Sequence, residues 1–594
     1  MFMFDFQVIL VLVVVVFIII SLYVGILGPA FTFVVGVVIL GFFGVLTPRE
    51  ILSGFANEQV MVILILLLIG EIIRKTAIAE IVFDRYFRRA RTYDGFMRRM
   101  LLMVAAFSAF LNNTPLVAVM MPYVNSWSRR YGISPSKLLI PLSYAAILGG
   151  CATLIGTSTN MIVNGMVIDQ QIIPGLTGLH IFDFSLVGIP MIILGVLYLL
   201  LFSNRFLPAY KAPDEENEIR SRTYFIEAQV KKNSPLIGQT IEESGLRNLP
   251  GIYLVEIHRM QKKIFVVSNN LIIEKGDVLK FAGDNTQIVL LTKPDFGLTI
   301  PSAGMLQKKR QANLIEIVIS PNSEMIGKQL KNINFRAQYD AAVIGIYRNE
   351  EVLPPRIRDS VIRAGDVLLL YAGTDFLKRA KDARDFYFLS KVDELEKIEI
   401  YKIVILLGGL LISIILAAFN LVSLFMSLVV VLMAAFILKM TNPKDLPKSI
   451  DYNLGLIIVM SLALGTAMIK TGAAGILAHY FIAFLFPMGK LAVLIGIYVV
   501  TVFLAAYITN KAAVAIMFPI SLSASLELGL PAMPFILTVA FAAAANFITP
   551  IGYQTNLMVY GPGGYRFKDF MRIGLPLTLI YMVVALTILS WKYF

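Results

Sequence analysis

The chain of 594 residues contains one cysteine, Cys151, and three histidines, His180, His258 and His479. A single thiol excludes an internal disulfide framework and any multi-cysteine metal cluster. The histidines lie far apart and share no metal-ligand spacing. Charge is scarce as well: Asp, Glu, Lys and Arg make up 15% of residues, against about 25% in soluble domains. Hydrophobic residues make up 57%. That balance excludes an ordinary soluble globular protein and a disordered chain. No catalytic triad, nucleotide-binding loop or metal cluster is visible, which argues against an enzyme. No Lys or Arg precedes the first apolar run, so a retained first helix is expected rather than a cleaved signal peptide.

What the chain has is long apolar runs, in two blocks, 1–203 and 400–594. The first block offers spans near 6–24, 28–46 and 58–73, a broken stretch at 101–122, then spans near 138–167 and 185–203. The second repeats this order: 402–418, 422–439, 455–470, a broken stretch near 491–520, then 533–560 and 573–591. Each continuous run suits a helix of about 20 residues crossing about 30 Å of hydrocarbon. The expected fold is a polytopic α-helical membrane protein.

The blocks are copies. "TPREILSGFANEQVMVILILLLIGEIIRKTA" aligns with "TNPKDLPKSIDYNLGLIIVMSLALGTAMIKTG", "NNTPLVAVMMP" with "TNKAAVAIMFP", and "GTSTNMIVNG" with "GYQTNLMVYG". Asn113 matches Asn510, Pro122 matches Pro519 and Asn160 matches Asn556 at nearly constant offset. Five spans per copy is an odd number, so tandem copies have opposite orientation. Inverted repeats with broken helices mark secondary transporters, with the site at the repeat interface.

Orientation follows Lys and Arg. Arg85, Arg88, Arg89, Arg91, Arg98 and Arg99 follow the third span. Arg129, Arg130 and Lys137 follow the first broken stretch. Lys439, Lys444 and Lys448 follow the seventh span, and Arg566, Lys568 and Arg572 precede the last. An N-out, C-out arrangement puts all of these in the cytoplasm, together with residues 204–399. The excess of 52 Lys+Arg over 39 Asp+Glu, a net +13, is therefore read as a topology signal and not as nucleic-acid binding.

The middle segment is a tandem repeat. Gly238, Arg259, Gly276 and Asp277 recur as Gly327, Arg348, Gly365 and Asp366, each 89 residues later. Alternating stretches such as "GIYLVEIHR" and "AAVIGIYR" predict strands, and the Gly-Asp pairs predict turns. The expected domains are membrane repeat 1 (1–203), a linker (204–224), two small α+β units (225–305 and 306–390) and membrane repeat 2 (391–594).

Polar residues interrupt the apolar runs at four places. The first broken stretch reads Asn112-Asn113-Thr114-Pro115, and its counterpart reads Thr509-Asn510-Lys511. Non-helical backbone exposed to lipid is very costly, so these breaks must face protein or a watery cavity. Re-entrant hairpins with these residues at the tips are expected. Gly156-Thr157-Ser158-Thr159-Asn160 and Gly552-Tyr553-Gln554-Thr555-Asn556 each interrupt a later span. Freed carbonyls with Asn and Thr oxygens suit a hard cation such as Na+, and helix N-termini attract anions. The plainer alternative is that these amides and hydroxyls only bond helix to helix.

The Asn-Asn-Thr and Thr-Asn-Lys motifs resemble the two Ser-Asn-Thr hairpin motifs of the divalent anion–sodium symporters. "GGCATLIGTSTN" and "FITPIGYQTN" are similar to the unwound fifth and tenth helices of that family. The resemblance covers both membrane blocks. It implies Na+ as coupling ion, an elevator-type motion and a homodimer held by scaffold domains. It places one sodium site at Asn112, Asn113 and Gly156 and a second at Thr509, Asn510 and Gly552. The anion falls to Asn113, Thr114, Thr159, Asn160, Asn510, Lys511, Thr555 and Asn556. The middle segment resembles tandem TrkA-C domains, which sense small ligands; Arg259 and Arg348 are the residues to meet an anionic metabolite or nucleotide. Tandem TrkA-C domains point to the sulfate-transporting subgroup. Two positions depart from the family: Asn112 stands for Ser and keeps an oxygen, whereas Lys511 stands for Thr. A Lys at membrane depth calls for a partner or a function. It either takes the place of a second sodium beside the anion or snorkels to an aqueous cavity.

The expected function is Na+-coupled sulfate symport without an organic cofactor. A Na+- or H+-coupled dicarboxylate symporter and, in another class, a ligand-gated anion channel or sensor are the alternatives.

Overall fold

The computed structural model describes residues 6–25, 27–75, 86–87, 90–170, 172–209, 224–246, 252–259, 262–264, 271–283, 297–299, 313–348, 359–373, 376–380, 383, 385–389, 399–441 and 452–594. Arg85, Arg88, Arg89, Lys444, Lys448 and most of the linker 204–224 lie outside these residues.

Block one contains α1 (Phe6–Val24), α2 (Pro29–Phe42), α3 (Pro48–Ser53), α4 (Glu58–Lys75), α5 (Tyr93–Ser108), α6 (Asn113–Arg130), α7 (Leu139–Gly150), α8 (Ser158–Asp169) and α9 (Ser185–Phe206). Block two contains α10 (Ile400–Ala418), α11 (Leu424–Ile437), α12 (Tyr452–Lys470), α13 (Ala473–Leu485), α14 (Lys490–Tyr507), α15 (Asn510–Glu527), α16 (Ala532–Ala544), α17 (Gln554–Tyr560) and α18 (Phe567–Tyr593). Their starts follow local chemistry. Pro29 and Pro48 sit in the first turns of α2 and α3, where a missing N–H costs nothing. Thr47 and Glu50 close a capping box over α3.

The sequence predicts ten spans. Among the described residues, six helices (α1, α9, α10, α12, α14 and α18) are long and apolar enough to cross a membrane. A seventh span results if α4 is joined to the preceding short helix across a 45° bend. α2 and α11, expected as spans 28–46 and 422–439, have 14 residues each. At about 1.5 Å per residue they reach about 21 Å, short of the roughly 30 Å of hydrocarbon. Both expected hairpins are helix–break–helix, α5–α6 and α14–α15. The arm α14 has 18 residues and is itself long enough for a span. The later breaks fall between α7 and α8 and between α16 and α17.

The blocks pack into one apolar core. α5 packs on α7 and α14 on α16, while α6 meets α17 and α15 meets α8 across the blocks. Buried tyrosines stitch the halves together. Tyr144 Oη donates to Phe547 O at 2.5 Å, Tyr198 Oη to Ile573 O at 2.9 Å, and Tyr565 Oη to Ser136 O at 2.6 Å. Each ring stays in the core while its hydroxyl finds a carbonyl.

The middle segment forms two antiparallel sheets, ordered β3-β2-β4-β1-β5 and β7-β8-β6-β9. The strands are β1 (Tyr224–Val230), β2 (Ile252–Arg259), β3 (Lys262–Ile264), β4 (Val278–Gly283), β5 (Leu298–Thr299), β6 (Asn313–Ile319), β7 (Ala341–Tyr347), β8 (Val367–Ala372) and β9 (Phe386–Phe388). Register repeats with the 89-residue period: Gln229 pairs with Val278 and Val318 with Val367. Even the bulge recurs, at Leu254/Glu256 and at Val343/Gly345. The sheets differ in their surroundings. The first has a separate core of its own. The second sends Val318, Ile344, Val367, Leu369 and Leu389 into the core of the membrane blocks. Asn125 Nδ2 on α6 donates to Leu389 O at 3.4 Å, and Arg129 pairs with the buried Glu316 at 3.4 Å.

Candidate functional site

The two late breaks are built by one rule. Thr153 Oγ1 donates to Ala109 O, at the end of the first hairpin arm, and accepts from Gly156 N at 3.2 Å. Asn160 Nδ2 then holds Thr153 O at 2.9 Å. The same bonds recur in block two. Thr549 Oγ1 donates to Ala506 O at 3.0 Å and accepts from Gly552 N at 3.2 Å, and Asn556 Nδ2 holds Thr549 O at 3.1 Å. A threonine thus ties each unwound turn to its hairpin, and an asparagine amide braces the turn. Buried backbone that leaves a helix needs such partners.

The first tip opens α6. Asn112 caps this helix, its side chain accepting from Thr114 N at 3.2 Å, and it lines a small apolar cavity with Gly70, Ile73, Leu111 and Pro115. Its oxygen therefore serves the helix end. Asn113 is 2% exposed and lies among Ser108 Oγ at 2.5 Å, Tyr553 Oη at 2.7 Å and, at 3.2 Å each, Ala146 O and Gly156 O. Ser108 has one proton, and its Oγ lies 2.8 Å from Ala146 O. The consistent assignment has the Asn113 amide nitrogen donate to Ser108 and its oxygen accept from Tyr553. Tyr553 Oη also lies 3.2 Å from Thr157 Oγ1, so one phenol joins the first tip to both late breaks. The expected pair Asn113 and Gly156 is brought together.

Thr114 Oγ1 donates to Gln554 Oε1 at 3.1 Å, and Gln554 Nε2 donates to Asn322 Oδ1, in the turn after β6, at 3.3 Å. Three parts of the chain meet there: the first tip, the first turn of α17 and the second sheet unit.

The second tip opens α15. Thr509 Oγ1 caps it by accepting from Ala512 N at 3.1 Å. Asn510 is 9% exposed, and its Oδ1 has no hydrogen-bond partner among the described residues. Lys511 is half-buried in the first helical turn. Several expected anion ligands are held by protein groups. Ser143 Oγ lies 2.8 Å from Thr555 Oγ1 and 2.7 Å from Asn556 Oδ1. Thr159 is buried at 2%. Asn160 Oδ1 is buried without a hydrogen-bond partner among the described residues. Its surroundings differ because Val539 stands 396 residues after Ser143.

Arg259 and Arg348, proposed to meet a regulatory ligand, are spent inside their own sheets. Arg259 grips Asp277 through Nε at 2.9 Å and Nη2 at 2.8 Å. Arg348 grips Asp366 at 2.7 and 2.6 Å. Each Nη2 also donates to a backbone carbonyl, Ile272 O or Val361 O, at 2.6 Å. Burial pushes the Asp366 carboxyl up from the ordinary carboxylate range, while the Arg348 guanidinium pulls against that shift. These pairs are staples of the β units.

The sequence motifs do not single out Ser108, Ser143, Tyr553 and Gln554. Tyr553 and Gln554 lie inside the fourth motif, so their polarity at a helix break was a signal available in the sequence. Ser108 and Ser143 lie in apolar helices and give no such signal. Among the described residues no group of His, Cys, Asp and Glu is arranged to hold a metal.

A family model described as citrate transporter matches residues 12–488 and 411–594. An uncharacterized transporter of Synechocystis is 32% identical over 91% of this chain and 90% of its own length. A Chlamydomonas reinhardtii protein, named as a candidate regulator of the sulfur deprivation response, is 33% identical over 92% of this chain and 95% of its own. Sodium/sulfate cotransporter 1 of the same alga is 23% identical over 95% of this chain and 87% of its own.

Proposed function

Because the chain belongs to the divalent anion–sodium symporter family, whose members are membrane transporters and not enzymes, we propose that it carries sulfate across the membrane with Na+. The observation that carries this reading is the meeting of polar helix starts from both halves. α6 begins at Asn113 and α17 at Gln554, and Thr114 in the first turn of the one touches Gln554 of the other. Helix N-termini carry partial positive charge and suit an oxyanion. Lys511 adds a full charge to the first turn of α15. The name of the algal sodium/sulfate relative supports both the ion and the anion.

In this reading the two blocks are inverted repeats, with N- and C-termini outside and residues 204–399 in the cytoplasm as two TrkA-C-like units. The anion meets Thr114, Gln554, Asn510 and Lys511. The hairpin elements move as an elevator against scaffolds that pair in a homodimer. Thr555, Asn556 and Asn160 act as braces of the breaks. Uptake of radiolabelled sulfate into proteoliposomes under a Na+ or an H+ gradient tests this. Saturable uptake driven by Na+ supports it. Sulfate flux that follows voltage without saturation makes the protein a channel, and uptake of dicarboxylates in preference to sulfate replaces the substrate.

A further inference from the structure

The two β units share a strand plan and differ in what they turn outward. In the second unit Val318, Val367 and Leu369 join the core of the membrane blocks. The residues 89 earlier are Gln229, Val278 and Lys280, two of them polar. The turn glycines differ in the same way. Gly276 and Gly365 both take a left-handed backbone, with φ of 85° and 82°. Gly276 is exposed, and among the described residues nothing lies within 4 Å of where its Cβ would be. Gly365 is buried against α17, where a Cβ would stand 3.2 Å from Leu557 O. Docking on the membrane blocks is thus a property of the second unit and not of the β plan.

The docked unit grips two helices, one from each block. On α17 it rests on Gly561, which is bare where a Cβ would run into Gly365 O. Asn322 Oδ1 accepts from Gln554 Nε2 at 3.3 Å. On α6, Asn125 Nδ2 donates to Leu389 O at 3.4 Å and Arg129 pairs with Glu316 at 3.4 Å. These are the helices whose first turns meet at Thr114 and Gln554. Seated, the unit holds one end of the Gln554 amide while Thr114 holds the other. The grip is built from weak bonds. All three lie beyond the usual N–H···O range of about 2.7–3.2 Å. Asn125 Oδ1 is buried with no hydrogen-bond partner among the described residues, an imperfection that a permanent core rarely keeps. The opposite face of the same sheet, with Ile317, Ile319, Leu368 and Leu370, packs into a core of its own, so the unit keeps a folded interior when it leaves the helices.

Resting on the anion-transport reading above, we infer that the second β unit is an autoinhibitory lid. Seated, it fixes α6 to α17 and keeps Gln554 turned from the anion. Lifted, it lets the first turns of the two helices part and frees Gln554 to bind. The argument is mechanical: a rigid sheet bound to both helices resists any change in their separation, and the anion enters where they meet. Only molecules with the lid lifted bind, so the apparent anion affinity falls in proportion to the fraction that is lifted.

The test uses the full-length protein, reconstituted in liposomes. Seating is read as the distance between spin labels on Lys328→Cys, exposed on the unit, and Arg205→Cys, exposed at the end of α9. Turnover is read as uptake of radiolabelled sulfate below saturation at fixed Na+. Two changes should lift the lid. Gly561→Ala wedges the contact with Gly365, and its backbone, at φ −64° and ψ −54°, accepts alanine without strain. Arg129→Glu sets a negative charge against Glu316. Both are expected to shift and broaden the label distance and to raise uptake about fivefold or more. Arg129→Glu with Glu316→Arg restores the pair and is expected to return both readings toward the wild type; Gly561→Ala decides the matter if the swapped protein does not fold. A lengthened label distance with unchanged or lower uptake overturns the lid and leaves transport standing. An unchanged distance in both folded single variants overturns it as well. Absence of sulfate uptake in the wild type and in both released variants overturns the sulfate reading, and the lid with it.

Discussion

Asn113 and Asn510 open helices of 18 residues at matching places in the two blocks, yet one amide is saturated and the other has an oxygen without a hydrogen-bond partner among the described residues. The backbone rule is shared, down to the threonine that ties each late break to its hairpin. Side chains at matching positions differ: Ser108 against Ala505, and Gly150 against Asn546. A duplicated scaffold can thus keep its architecture in both copies and differ in how its polar side chains are partnered. The saturated tip joins the two blocks through Tyr553, and Asn510 Oδ1 has no hydrogen-bond partner among the described residues.

The largest effect is expected where the comparison is sharpest. Asn510→Ala removes that oxygen and should abolish Na+-driven sulfate uptake in a protein that still folds. Asn113→Ala removes a satisfied amide and should lower thermal stability, because it strands Ser108 and Tyr553. A cost of about 1–3 kcal/mol is typical of such a loss. Equal loss of Na+ affinity in the two variants, read from uptake at varied Na+, would erase the distinction between the tips.

Next comes charge. Lys511→Thr gives the second tip the residue found in the family motif and removes its ammonium. Attraction between unit charges at about 4 Å and an effective dielectric of 20 is about 4 kcal/mol before desolvation. Sulfate affinity should fall at low Na+ and recover in part at high Na+, read from uptake at varied Na+. Unchanged affinity would mean that the lysine only snorkels.

The smallest expected effect probes what the halves share. Thr153→Val and Thr549→Val each delete a hydroxyl that makes two hydrogen bonds at a break. Each should lower unfolding stability by a similar amount, on the order of 1–3 kcal/mol. A large difference between them would show that the late breaks are not equivalent.

Much of this architecture was legible from the residues. Apolar runs located most of the helices, and the interruptions at Asn112–Thr114 and Thr509–Lys511 located both tips. The 89-residue spacing of Arg259/Asp277 and Arg348/Asp366 marked the two sheets, and the structure shows these residues paired within them. Partner choice was not legible. Ser108 reads as an ordinary small residue in a helix until Asn113 folds back on it, and Tyr553 finds Asn113 from 440 residues away. The lengths of α2 and α11 were hidden for a different reason. Apolar residues continue past their ends, so hydropathy alone cannot say where the helix stops.

The bridge from Thr114 through Gln554 to Asn322 ties occupancy of the site to the seating of the second β unit. Linkage of this kind works in both directions with one free energy. If sulfate draws Thr114 away from Gln554, the β unit is held less firmly; anything that lifts the β unit frees Gln554 to turn toward the anion. The second β unit is then a gauge of the site. If the anion is sulfate, protection from hydrogen exchange around Asn322 should fall as sulfate is added.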